Sequence, residues 1–173
     1  MTNYKEIVTK AVIGKAKKTS HGQFKIVPDE MPNTVLGCWV INHSFRGSNK
    51  DGKVEVDGSF DINVWYSYDN DTKTKVSTER FTYSDLLPVT IKSNGTLDNT
   101  SEIMVRSLKQ PTVTDVNIEG NEVIMNVEKE LGVEVVGDTK LRIPVEDDED
   151  EYEVIEDEKI DNIDEITDDY IER

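Results

Sequence analysis

Cysteine is almost absent from this chain. Cys38 stands alone, so no internal disulfide framework can form, and the composition fits a protein made and used in a reducing cytosol. No apolar run approaches the ~20 residues of a membrane-spanning helix. The N-terminal stretch MTNYKEIVTKAVIGKAKK lacks the apolar segment and cleavage site of a secretory signal. No glycine-rich phosphate loop occurs. Histidine is scarce, and His21 and His43 belong to no HxH, CxxC or HExxH pattern, whereas a metal site needs three or four converging ligands. No cofactor and no metal are expected.

Positive charge is also in short supply, and unevenly so. Residues 146–173 carry sixteen acidic side chains and only Lys159 and Arg173 as bases, a net of −14. The other 145 residues hold 20 acids and 18 bases. A nearly neutral body of residues 1–145 is therefore expected to carry an acidic tail of residues 146–173. Phosphate backbones would be repelled, which argues against nucleic acid as a partner. A body of that length can bury roughly two-thirds of its unfolded surface.

What the body has in abundance is period-two alternation. Val54, Val56, Gly58, Phe60, Ile62, Val64, Tyr66 and Tyr68 fall on one parity, and Asp57, Ser59, Asp61 and Asn63 on the other. This is a long half-buried strand. Asp69-Asn70-Asp71 supplies turn chemistry, and residues 72–83 read as the returning strand. There Val76 is out of phase with Phe81 and Tyr83, which a bulge near Glu79-Arg80 would reconcile. Further strands are expected over 35–45, 103–109, 113–120, 121–138 and 139–145. At the N-terminus Ile7, Val8, Ala11 and Val12 suit a helical stripe, so a short helical turn over about residues 3–9 is expected, then a strand to about Lys18. So many short strands with turn signals predict a mainly β domain, an antiparallel sandwich or barrel-like sheet. The tail has too few apolar residues to fold alone. Tyr152, Val154, Ile155, Ile160, Ile163, Ile166 and Tyr170 recur within the acid, the composition of a disordered arm that orders on a partner.

Catalytic readings fare poorly. Cys38 could act as a nucleophile with His43 as its base, but on a strand positions five apart point to opposite faces, and a small buried cysteine is the better account. Asp57 and Asp61 share one strand face roughly 13 Å apart, too far for a glycosidase pair. They read as a solvated face, on which Asp61→Asn should cost almost nothing. Phe60, Ile62 and Val64 belong to the core by phase. Trp65 places a large ring on the polar face, and two readings stand: a lone exposed aromatic, or part of an interface patch.

Several segments carry a family resemblance: YKEIVTKAV (4–12), LGCWVINH (36–43), DINVWYSYDNDTKT (61–74), TERF (78–81), KQP (109–111) and KELGVEVVGDTK (129–140), followed by an acid-rich end. In this order they resemble the outer spore coat morphogenetic protein E (CotE) family, and the β-domain is distantly similar to the repeated domain of other spore-envelope assembly proteins. The resemblance implies a non-enzymatic scaffold. It would be made in the mother cell, form a shell around the forespore, associate with itself and recruit outer coat proteins. Trp65 is then a candidate for self-association, and the tail residues named above are candidates for partner binding. The competing expectation is a small-molecule or carbohydrate binder that uses the Trp65 face.

Overall fold

Alternating side chains produce strands, and strands account for all the regular secondary structure among the described residues. The computed structural model describes residues 3–92, 95–146 and 155–156. Six strands run in chain order: β1 (Asn3–Ile26), β2 (Thr34–Lys50), β3 (Lys53–Tyr68), β4 (Lys73–Leu87), β5 (Glu102–Glu119) and β6 (Glu122–Val145). The chain divides into two compact units, Glu6–Arg142 and Met1–Lys5 together with Ile143–Arg173. The core and the sites described below belong to the first.

The strands form two three-stranded sheets, ordered β1-β6-β5 and β2-β3-β4. The pairs β2–β3, β3–β4 and β5–β6 are antiparallel. The sheets stack as a sandwich and, among the described residues, do not close into a barrel. Inward residues of β3 (Phe60, Ile62, Val64, Tyr66) meet Val123, Met125 and Val127 of β6 and Ile26 of β1 in one apolar cluster. Val54 and Val56 meet Leu131, Val133, Val135 and Leu87 in a second. These are the phases expected of period-two strands with one buried face.

Phe60 sits at the centre of an aromatic group. Its ring meets Phe24 edge-on at 5.3 Å and lies 6.3 Å from Phe81 and 6.0 Å from Tyr83, distances typical of favourable ring pairs. At one end of the sandwich the Tyr66 hydroxyl donates to Glu30 at 2.5 Å, and Lys75 reaches the same carboxylate at 3.1 Å. This ties the β1–β2 connection to the central strand.

Four expectations need correction. No helical turn forms at residues 3–9, which are strand. In β1 the inward phase is odd up to Ile13 and even from Gly14 onward, where two consecutive residues are buried; that break in parity imitated a helical stripe. No bulge occurs at Glu79-Arg80, because β3 and β4 pair without interruption from Val54↔Leu87 to Tyr68↔Lys73. Val76 is out of phase because it faces outward opposite Trp65. Gln110-Pro111 does not end a strand: β5 runs through it. As an edge strand with register shifts on both sides of Lys109, β5 can accommodate a residue that lacks a ladder donor. Likewise 121–138 and 139–145 are one strand, β6. The turn after β3 behaves as its composition requires, with Asp69, Asn70 and Asp71 all at positive φ (53°, 55° and 61°).

Phe60→Ala removes the hub of the aromatic group, a side chain 1% exposed. It should lower stability by about 3–5 kcal/mol, measured by chaotrope or thermal unfolding. An unchanged melt would remove Phe60 from the core.

Candidate functional site

Two places concentrate chemistry. One lies between the sheets and the other on the outer face of β2-β3-β4.

The inner group is built by a bulge. Between Ile41↔Asp61 and Ser44↔Ser59, β2 spends two residues, Asn42 and His43, against Phe60 alone. Asn42 takes φ 55°, and its amide donates to Asp61 Oδ2 at 3.0 Å. The extra residue re-aims His43 inward, as bulges do. His43 Nε2 lies 2.6 Å from the Tyr83 hydroxyl, and Nδ1 lies 3.3 Å from Gln110 Oε1. An amide oxygen only accepts, so Nδ1 carries the proton and Nε2 accepts from Tyr83. Tyr83 reaches this far because its β3 neighbour is Gly58, where a Cβ would fall 2.3 Å from the tyrosine ring and hydroxyl. Over the Tyr83 ring, 4.1 Å from its centre, sits the Lys129 ammonium. Lys129 also lies 3.1 Å from Asp85 Oδ2, without hydrogen-bond geometry. Lys18 approaches the other Asp85 oxygen at 3.6 Å.

These groups titrate in the direction of inertness. Burial, then the Asp85 charge, pushes the Tyr83 hydroxyl up to about 12. His43 is held below its ordinary 6.5, chiefly by burial and also by Lys129, against the opposing effect of the hydrogen bond it donates to Gln110. Burial alone raises the Cys38 thiol to about 11, the reverse of what a thiolate nucleophile requires. The bulge also overturns the parity argument for Cys38 and His43. Cys38 packs against the core, so both side chains turn inward, yet no hydrogen bond joins them. Among the described residues no three His, Cys, Asp or Glu side chains gather around a point where a metal could sit.

Asp61 corrects another expectation. It is 7% exposed, with Arg80 Nε donating at 2.9 Å and Asn42 at 3.0 Å. Arg80 first, and Asn42 next, hold its carboxyl below the usual carboxylate range. Asp61→Asn breaks this pair and should lower the melting temperature rather than leave it unchanged.

On the outer face, Trp65 is 42% exposed and Val76 opposite it 46%. Across the sheet Trp65 pairs with Gly37, where a side chain would start 3.1 Å from the Trp39 ring and 3.6 Å from the Trp65 ring. Trp39, Ile41 and Leu36 are exposed to similar degrees. Trp65 is therefore one member of an apolar patch, and the reading of a lone aromatic falls. Sequence reasoning missed Trp39 by taking 35–45 as one apolar run. The available signal was that Trp39 and Ile41 share a parity opposite to that of Cys38 and Val40. It also missed Lys129 and Asp85, whose signal was a charge on the inward phase of an apolar strand. Of the tail residues, Tyr152, Val154, Ile160, Ile163, Ile166 and Tyr170 lie outside the described residues. Ile155 is exposed.

No helix among the described residues is long and apolar enough to cross a membrane. The described residues compose a β-sandwich with a polar group between its sheets and an exposed tryptophan patch. A family model for the outer spore coat protein E, CotE, matches residues 3–173, and the chain belongs to that family. It is a spore coat protein of sporulation, in a family of structural proteins. No curated protein and no solved structure matches the chain.

Two predictions follow from the inner group. Lys129→Met leaves the half-buried Asp85 with only Lys18, at 3.6 Å, as a cation and should cost about 1–3 kcal/mol in urea unfolding, whereas Lys129→Met with Asp85→Leu should recover most of that loss. A double variant as unstable as the single one would show that the pair is not coupled. His43 is less basic folded than unfolded, so the unfolded chain takes up the proton first as pH falls. Its contribution is complete well above 6.5 and is lost as pH drops through and below that value. Between pH 7.5 and 5.5 the parent should lose more stability than His43→Gln; parallel curves would contradict this.

Proposed function

We propose that this chain is a non-enzymatic morphogenetic scaffold. It associates with itself at the forespore surface in the mother-cell cytoplasm, becomes part of the spore coat and recruits outer coat proteins. Residues 1–145 form the assembling body, and residues 146–173, through Tyr152, Val154, Ile155, Ile160, Ile163, Ile166 and Tyr170, form the recruiting arm. Membership of a structural coat family supports the scaffold role.

The observation that carries self-association is the patch of Trp39, Ile41, Trp65 and Val76 on an otherwise polar sheet face. Interfaces are anchored by such tryptophans, each worth a few kcal/mol when buried against a partner. The edges help as well. β2 and β4 each have one neighbour, and an unpaired edge is a template for another strand. The arm suits recruitment because an acidic segment with scattered aliphatic side chains gains order only on a partner.

The test is Trp39→Ser with Trp65→Ser in the full chain, studied by sedimentation velocity over a range of concentrations. The expected result is multimers weakened by roughly a hundredfold in association, the equivalent of a few kcal/mol, with the monomer melt preserved. Unchanged multimers would remove this face from the interface.

A further inference from the structure

Along the outward face of β6 the glutamates have partners on the flanking strands. Glu122 pairs with Lys25 at 3.8 Å, Glu128 with Lys109 at 3.2 Å and Glu134 with Lys15 at 3.7 Å, and Glu130 accepts from the Thr19 hydroxyl at 2.8 Å. At Gly132 this series is interrupted. Arg106 of β5 is the register partner of Gly132. Lys17 of β1 lies between Lys15 and Thr19, whose partners Glu134 and Glu130 flank Gly132, so Lys17 borders the same gap from the other side. Neither Lys17 nor Arg106 has an ion pair among the described residues, and both are exposed. Leu108, 52% exposed, leans into the space above the glycine, where a Cβ would meet its Cδ1 at 2.9 Å. The outcome is a groove of about 420 Å³. Two unpaired cations stand across a missing carboxylate, with an aliphatic wall beside them. The one acid on its rim, Glu134, is already engaged by Lys15.

We propose that this groove receives the acidic segment 146–173 of a second copy, with a carboxylate between Lys17 and Arg106 and a neighbouring isoleucine or valine against Leu108. Charge complementarity selects this occupant: the segment carries −14 and interleaves Ile and Val with Asp and Glu, so it offers the carboxylate that the groove lacks beside an aliphatic side chain that matches its Leu108 wall. Its 28 residues reach up to about 90 Å when extended, enough to span to a neighbouring copy. A groove on one copy filled by the arm of the next is a heterologous contact, which propagates assembly instead of closing a dimer. The proposal rests on the reading that the chain self-associates, and it adds a contact separate from the tryptophan face.

The test uses the full chain. Isotopically labelled and unlabelled copies are mixed, and amines are joined to carboxylates by a zero-length carbodiimide. Cross-linked peptides are then identified by mass spectrometry. Lys17 should be linked to carboxylates of residues 146–173 in mixed-isotope pairs. Gly132→Glu supplies the missing carboxylate from within, so it should abolish those links and weaken association roughly tenfold, the scale of one charge-assisted contact. Arg106→Glu, an exposed change that leaves the backbone untouched, should do the same. Links confined to single-isotope pairs, or links indifferent to both variants, would overturn the proposal. Multimers that persist without any Lys17 link would remove this contact alone. A parent that stays monomeric at every concentration would remove the self-association reading along with it.

Discussion

The structure depends on the face-to-face packing of β3 against β6. Val54, Val56, Phe60, Ile62, Val64 and Tyr66 from one strand, and Val123, Met125, Val127, Leu131, Val133 and Val135 from the other, are almost wholly removed from water. At ~25 cal/mol per Å² of apolar surface, burial on this scale is the main force available to a domain of this size. Because each strand alternates, committing one face to the core also commits the other to the outside. The tryptophan patch and the Gly132 groove follow from that division, since both occupy outward faces of strands whose inward faces are already engaged.

Within this packing the polar groups contribute specificity more than adhesion. Lys18, Asp85 and Lys129 enter on the inward phase of apolar strands, and Tyr83 and His43 bridge towards them. A buried ion pair rarely adds net stability over an apolar replacement, but a misplaced charge is strongly penalised. The cluster therefore favours the alignment of the two sheets in which Asp85 of β4 meets Lys129 of β6. It also keeps the chemistry quiet, with a neutral imidazole, a phenol that keeps its proton and a thiol raised by burial. That suits a structural protein of the spore coat.

Much of this was legible in the residues. The phase of β3, the left-handed turn at Asp69-Asn70-Asp71 and the outward placement of Trp65 all follow from local rules, period two and turn chemistry. The failures have one cause: parity is local, and a single inserted residue reverses it. The break at Ile13-Gly14 made β1 resemble a helix, and the bulge at Asn42-His43 turned His43 to the side of Cys38. Val76 seemed to demand a bulge because its outward apolar partner, Trp65, lies on another strand. Asp61 looked solvated because Arg80 and Asn42, which enclose it, come from the strands on either side. Cross-strand neighbours depend on register, and register depends on the whole sheet.

The central claim is that an outward tryptophan face becomes buried when copies associate. The chain has only two tryptophans, Trp39 and Trp65, and both lie on that face, so tryptophan emission, excited selectively over the tyrosines, reports on it alone. Iodide quenching of the native protein, followed from dilute to concentrated solution alongside light scattering, is the most direct measurement. The account predicts strong quenching in the dilute monomer, with quenching lost and emission shifted to the blue as scattering rises. Multimers whose tryptophans remain as accessible to iodide as those of the monomer would contradict it.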